Sequence, residues 1–205
     1  MTMESTLHQG AHPLDTAEDL GRRWMTGALL LIVADASFVV AMSFTYLYLR
    51  GVNTEGEFHP PKSATASLWW PWIVTVCMVA GFAAYRWGLG GAARSLRSSF
   101  VGSASLGVLM MVVALVLNIL QLANLPFKIQ DNAYSSAVFV IAAGNVFHLL
   151  ITVFVGIGAA NRVRRGLTEG PQMWSIRIVG VWWAWVCVAS AIGALTITMA
   201  NGVTG

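Results

Sequence analysis

Five unbroken apolar runs constrain this chain more than any other feature: Met25–Leu49, Leu68–Tyr85, Phe100–Leu125, Tyr134–Ala160 and Val179–Met199. A helix rises about 1.5 Å per residue, so a run of about 20 residues crosses a hydrocarbon core about 30 Å thick. Strands of a membrane barrel need only about 10 residues and alternate in polarity, and these runs are longer and more uniform. They predict an all-α fold, a polytopic membrane protein built as a bundle of five transmembrane helices. Composition agrees: 57% of the 205 residues are hydrophobic and 10% charged, against roughly 25% charged in soluble domains. The mean hydropathy is +0.68.

The basic residues give the bundle a direction. Arg22, Arg23, Arg86, Arg94, Arg97, Arg162, Arg164, Arg165 and Arg177 fall on one side of the alternating spans, and only Arg50, Lys62 and Lys128 fall on the other. The positive-inside rule counts Lys and Arg, so it predicts a cytoplasmic N-terminus and an outside C-terminus. The acids of the leading arm (Glu4, Asp15, Glu18, Asp19) do not alter that count. The basic balance then reflects topology, with no nucleic-acid partner implied.

Two parts are expected, a polar N-terminal arm over residues 1–22 and a five-helix membrane domain over residues 23–205. The arm contains His8, His12 and Pro13. It has neither the apolar core of a signal peptide nor the Arg-rich, acid-poor pattern of an organelle presequence, which favours a bacterial plasma membrane. Cys77 and Cys187 stand singly and suit packing rather than metal or disulfide chemistry. Trp69, Trp70 and Trp72 form an aromatic anchor at the outer interface. Pro60 and Pro61 break the first outer loop, Gly88, Gly90 and Gly91 are expected to end the second helix, Pro126 the third, and Pro171 breaks the last inner loop. Ala189 and Gly193, four residues apart, permit close helix approach.

Polar side chains inside the spans are the candidate site. Asp35 is the only charged residue between Met25 and Leu49 and lies near the middle of that run. A carboxylate at that depth costs about 2.5–3.5 kcal/mol on insertion scales, so it implies a functional or interior position. Asp35, Met42, Ser43 and Tyr46 share roughly one face of the first helix. Asn118, Gln121 and Asn124 recur at i, i+3 steps in the third, and Asn145, His148 and Thr152 form a stripe in the fourth. Such stripes suit interhelical hydrogen bonding as well as a ligand or proton site. The fifth helix shows no such stripe, and its Trp182, Trp183 and Trp185 are expected to pack or to contact lipid.

A haem or copper centre within a helical bundle needs several histidines. This chain has four, and His8, His12 and His59 lie outside the spans, leaving His148 alone at membrane depth. There is also no Ser–His or paired-carboxylate arrangement. No metal site, redox cofactor or catalytic residue is expected in the chain itself, and no activity of the isolated chain.

Taken together, these segments resemble subunit III of the haem-copper terminal oxidases. Leu30–Arg50 (LLIVADASFVVAMSFTYLYLR) is similar to that family's helix in which an acid precedes a phenylalanine-rich turn and the helix ends in Tyr and Arg; Asp35 takes the place of the intramembrane acid. Gln121 in LNILQLANL matches the Gln of the aromatic-Leu-x-x-Gln-x-x-Glu pattern, with Asn124 where Glu is usual. The stretch Asn132–Phe154 resembles the family's Tyr-Gly-Ser start and Gly-Phe-His-Gly-x-His-Val core, with His148 in the second His position and Asn145 replacing the first. The segment Arg164-Arg165-Gly166-Leu167-Thr168 is similar to the linker before the last helix. The likeness covers roughly residues 24–200 in consistent order. The chain departs from the pattern at Val181–Val186 (VWWAWV), where the family carries Trp-His-Phe-x-Asp, and both that His and that Asp are gone.

The resemblance implies an accessory, non-redox subunit of a respiratory oxidase. It would pack on subunits I and II, which hold haem and copper, bind phospholipid in a helical cleft and sustain proton uptake and turnover. The resemblance, with Asn118 added from the stripe of the third helix, makes Asp35, Gln121, His148, Asn145, Asn118 and Asn124 the expected cleft, proton or lipid-associated residues. The alternative is subunit III of a quinol oxidase or a nitric-oxide-reductase-associated homologue. Asp at position 35 and the five-helix length lean toward quinol oxidases, whereas cytochrome c oxidases are the larger branch and include five-helix forms. An unrelated transporter subunit would need a polar path open to both faces, which these thin stripes do not suggest.

Overall fold

The computed structural model describes residues 16–53, 58–60, 66–93, 97–167 and 173–201. Its regular elements are all helical: α1 (Ala17–Gly51), α2 (Trp70–Ala93), α3 (Arg97–Ala123), α4 (Ala133–Arg164) and α5 (Trp174–Asn201). All five are long and apolar enough to cross a membrane, as in a multi-pass membrane protein. Most of the leading arm, Pro61, Lys62, Arg94, Thr168 and Pro171 lie outside the described residues.

The helices overrun the apolar sequence because capping groups, not hydropathy, set their ends. Thr16 caps α1, its Oγ1 accepting from the Asp19 amide at 3.1 Å, so the last residues assigned to the polar arm are already helical. Asn132 caps α4 in the same way through the Ser135 amide at 2.9 Å. Each of these caps satisfies an amide that the first helical turn leaves open. At the other end of α4, Gly166 takes the left-handed conformation (φ 76°) that an L side chain adopts at a cost. Helix α3 stops at Ala123, short of Pro126, as expected.

Gly88, Gly90 and Gly91 do not end α2, which continues to Ala93. Their role is different, at least at Gly88: a Cβ there would meet the Ser103 Cβ at 2.8 Å. Gly88 serves the close approach of α3. Gly81 and Gly107 make the same approach one level away, each with its missing Cβ directed at the other's carbonyl oxygen, at 3.0 and 2.8 Å.

Helices α2, α3, α4 and α5 form a four-sided bundle in which neighbours run antiparallel, and α1 lies outside it against α5 and α4. Only 6% of the apolar stretch of α1 is buried in the protein, against 44% for α5. Because α1 and α5 are parallel, Gly21 meets Trp174 and Ser43 meets Thr196. Trp183, fully buried, is the wedge of the bundle. Its ring packs over Gly107 and Gly156 and lies 4.7 Å from the ring of Tyr85. Cys187 is buried and Cys77 half-buried, and both are free thiols.

One end of the bundle carries Arg22, Arg23, Arg86, Arg162, Arg164, Arg165 and Arg177, because successive helices reverse direction. The opposite end is closed by an aromatic cluster of Tyr46, Phe58, Phe127 and Tyr134 with centroids 5.2–6.3 Å apart. Tyr134 also accepts from the Ala66 amide at 3.3 Å, tying the first outer loop to α4.

Candidate functional site

Asp35 turns toward the seam where α1 meets α4 and α5, and both carboxyl oxygens are engaged. Oδ1 lies 2.9 Å from His148 Nε2, and Oδ2 accepts from Trp185 Nε1 at 2.6 Å. The His148 side chain is 6% exposed and that of Asp35 18%. The imidazole rests edge-on against Trp182, with centroids 6.1 Å apart, and the Trp182 indole donates to Thr152 Oγ1 at 3.1 Å. Three helices therefore meet on one acid.

The His148 contact is satisfied in two ways, by Nε2–H donating to the carboxylate or by a carboxylic O–H donating to Nε2. Imidazolium with carboxylate and imidazole with carboxylic acid have the same net charge. One proton can thus cross the 2.9 Å contact without changing the charge buried at membrane depth. Pairing also supplies what an isolated intramembrane acid lacks, a partner that offsets its desolvation.

From His148 a crevice runs toward the aromatic end between α1, α4 and α5, reaching inward to α3 and to Pro71 at the start of α2. It is a narrow slot with a cavity volume of about 50 Å³, open along one side. Its walls are largely apolar, with Phe38, Met42, Val140, Ile141 and Ile197 among them, and its inner surface carries Ser43, Asn118, Gln121, Asn145 and Ser190. Among the described residues no Lys or Arg lines it. It suits an acyl chain better than a phosphate head group, which would need a cationic or multi-donor partner.

The amides of the crevice are unevenly satisfied. Asn118 donates to the Ala142 carbonyl at 2.9 Å, joining α3 to α4, and receives a long 3.5 Å contact from Asn145 Nδ2. Gln121 Nε2 and Asn145 Oδ1 are buried without a partner among the described residues. Thr75 and Ser190 share a hydroxyl contact of 2.8 Å that links α2 to α5.

Five of the six residues expected to share the site, Asp35, Asn118, Gln121, Asn145 and His148, come together. Asn124 does not. It is exposed just past the end of α3, and its amide bonds back to the Leu120 carbonyl at 2.7 Å, because a further i+3 step carries it beyond the helix. The tryptophans expected as interfacial anchors differ from one another. Trp69 is 77% exposed, whereas Trp70 is half-buried and donates to the Leu117 carbonyl at 2.8 Å, so it also fastens α2 to α3. Trp72 is half-buried.

The expectation that α5 carries no polar stripe is overturned. Trp182, Trp185, Ser190 and Thr196 all hydrogen-bond to other helices. The usable signal was helical spacing: Trp182, Trp185, Ala189, Gly193 and Thr196 repeat at three- and four-residue steps, and an indole N–H on such a stripe is a donor that must find an acceptor. Among the described residues no three His, Cys, Asp or Glu side chains come together in a manner that could hold a metal ion.

No protein-family model matches this chain, and no curated protein is significantly similar to it.

Proposed function

We propose that this chain is an accessory, non-redox subunit of a haem-copper respiratory oxidase, in the role of subunit III, embedded in a bacterial plasma membrane with its arginine-rich end and N-terminus on the cytoplasmic side. Haem and copper belong in this reading to the partner subunits I and II, and this chain packs beside them. The observation that carries the reading is the contact between Asp35 and His148. Two positions through which the sequence resembles the family, in different helices, share a 2.9 Å contact. A crevice lined by Gln121, a third such position, together with Asn118 and Asn145 begins at the same histidine.

The chemistry of this site is support. The Asp35–His148 pair fastens the peripheral helix α1 to the bundle and holds a proton that moves between two buried groups. The crevice receives the acyl chain of a phospholipid. Fixing α1 and the lipid beside it would keep the adjoining catalytic subunit supplied with protons and slow its inactivation during turnover.

The test is to purify the tagged chain from its native membrane in mild detergent and record an optical spectrum. Haem bands that co-elute with a large multi-helix partner are expected; a haem-free preparation containing the intact chain overturns the reading. In the purified complex, Asp35→Ala is expected to shorten the lifetime of turnover, with Asp35→Asn intermediate. Unchanged inactivation kinetics in both would remove Asp35 from the mechanism.

A further inference from the structure

A second groove lies between α3 and α4 at the arginine-rich end, away from the Asp35 crevice. Ser105, Asn161 and Arg164 line it together with apolar side chains from both helices. Arg164 and Ser105 are exposed, and Asn161 is half-buried. Among the described residues none of the three side chains makes a hydrogen bond or ion pair. A guanidinium, an amide and a hydroxyl are thus gathered at one mouth with their hydrogen-bonding capacity unspent.

The groove runs from acyl-chain depth to head-group depth. His148 pairs with Asp35 near the middle of the first apolar run, which places it near the middle of the hydrocarbon core. At about 1.5 Å per residue, Ile157 lies roughly 13 Å along α4 from that level. On the same scale Asn161 lies roughly 20 Å and Arg164 roughly 24 Å away. The hydrocarbon half-thickness is about 15 Å, with head groups beyond it. Val108 is level with Gly156, so on antiparallel α3 Ser105 lies roughly 17 Å and Val101 roughly 22 Å from the His148 level. Val108 and Ile157 are therefore at acyl-chain depth, and Ser105, Asn161, Arg164 and Val101 are at head-group depth. Arg164 is flanked by Arg162 and Arg165. The described acids at this end, Glu18 and Asp19, belong to the first turn of α1, which packs on α4 and α5 outside the bundle, and Asp19 is paired with Arg22 at 2.6 Å. The local field at this mouth favours an anion.

We propose that this groove is a binding site for an anionic phospholipid, its phosphate taken by Arg164, Asn161 and Ser105 and one acyl chain lying along Val108 and Ile157. The guanidinium fork matches two phosphate oxygens at once, and the amide and hydroxyl complete the acceptor shell. A zwitterionic lipid keeps the phosphate but brings an ammonium into a neighbourhood that already holds three arginines. The site does not depend on the oxidase reading, since it uses neither Asp35 nor the crevice beside it.

Native mass spectrometry of the full chain, extracted with whatever subunits accompany it and titrated with phosphatidylglycerol or phosphatidylethanolamine, tests this. The wild type is expected to retain phosphatidylglycerol in preference to phosphatidylethanolamine. Arg164→Gln is expected to lower phosphatidylglycerol retention about five-fold, the effect of one basic side chain near an anionic surface, with Arg164→Lys falling between. Arg177→Gln removes a charge at the same end but outside the groove and leaves retention unchanged. Equal retention of the two lipids would overturn the proposal. So would a loss in Arg177→Gln as large as in Arg164→Gln, which would mean a diffuse field without a site. Displacement of the lipid by inorganic phosphate at matched concentration would also overturn it, since the head group alone would then be the ligand.

Discussion

At the scale of single residues, Asp35 is the acceptor on which two other helices converge, so its partners are coupled to it energetically. Interhelical hydrogen bonds in membranes average about 0.6 kcal/mol and reach about 1.7 kcal/mol. Removing the acid while leaving His148 and Trp185 in place costs more than removing either donor, because a buried imidazole and a half-buried indole then both lose their partner. A double-mutant cycle of Asp35→Ala and Trp185→Phe, read by unfolding in mixed micelles, is expected to give a coupling of about 1 kcal/mol; additive losses would mean that the 2.6 Å contact contributes nothing. Gln121 behaves in the opposite way. Its Nε2 is buried without a partner, so Gln121→Leu, similar in size and without an unsatisfied donor, is expected to leave stability unchanged or raise it by up to about 1 kcal/mol. A clear loss of thermal stability in that variant would reveal a bound water or lipid group at the amide. Asp35, His148 and the amide stripes were legible because a polar group in an apolar run carries a cost that demands a reason. Trp185 was missed because an indole reads equally well as packing, and only its partner shows which of its two characters matters.

Among the helices, close approach is set by what is missing from side chains. Gly156 allows the Trp183 ring to lie where a Cβ would come within 2.5 Å of it, whereas a Cβ at Gly158, two residues along the same helix, would meet nothing within 4 Å. Gly156→Ala is therefore expected to destabilise the bundle by about 1–3 kcal/mol through overpacking. Gly158→Ala is expected to be neutral or to stabilise by up to about 1 kcal/mol through helix propensity. Thermal unfolding of the two variants side by side checks this, and equal shifts would remove Trp183 as the wedge. The apolar runs located all five helices, while the ends depended on side-chain caps at Thr16 and Asn132 that hydropathy does not register. The glycines near the end of α2 misled for a related reason. Gly is both a helix terminator and a contact surface, and the presence of Ser103 opposite Gly88 decided for the second.

For the molecule as a whole, the division into a four-helix bundle and a peripheral α1 gives the site its character. Asp35 lies on the least buried helix and reaches to two helices of the bundle, so the site is also the joint between the two parts. If the arginine-rich end faces the cytoplasm, a cysteine introduced at Ser67 is labelled by a membrane-impermeant maleimide added to intact cells, and one introduced at Arg165 is labelled only after permeabilisation. The reverse pattern would invert the topology. Cys77 and Cys187 lie within α2 and α5, so background labelling is expected to be low. The sequence by itself determined the number of spans, their all-helical character and the candidate acid and histidine. Apolar length and the cost of burying charge are properties of the chain that hold in any arrangement of its helices. Only the tertiary structure decided that Asp35 meets His148 and Trp185, that Asn124 stands apart, and that α1 lies outside the bundle. Those outcomes depend on which faces meet across helices far apart in sequence, and in hydrocarbon the faces are chosen by small residues and single hydrogen bonds, with no difference in hydrophobicity to mark them.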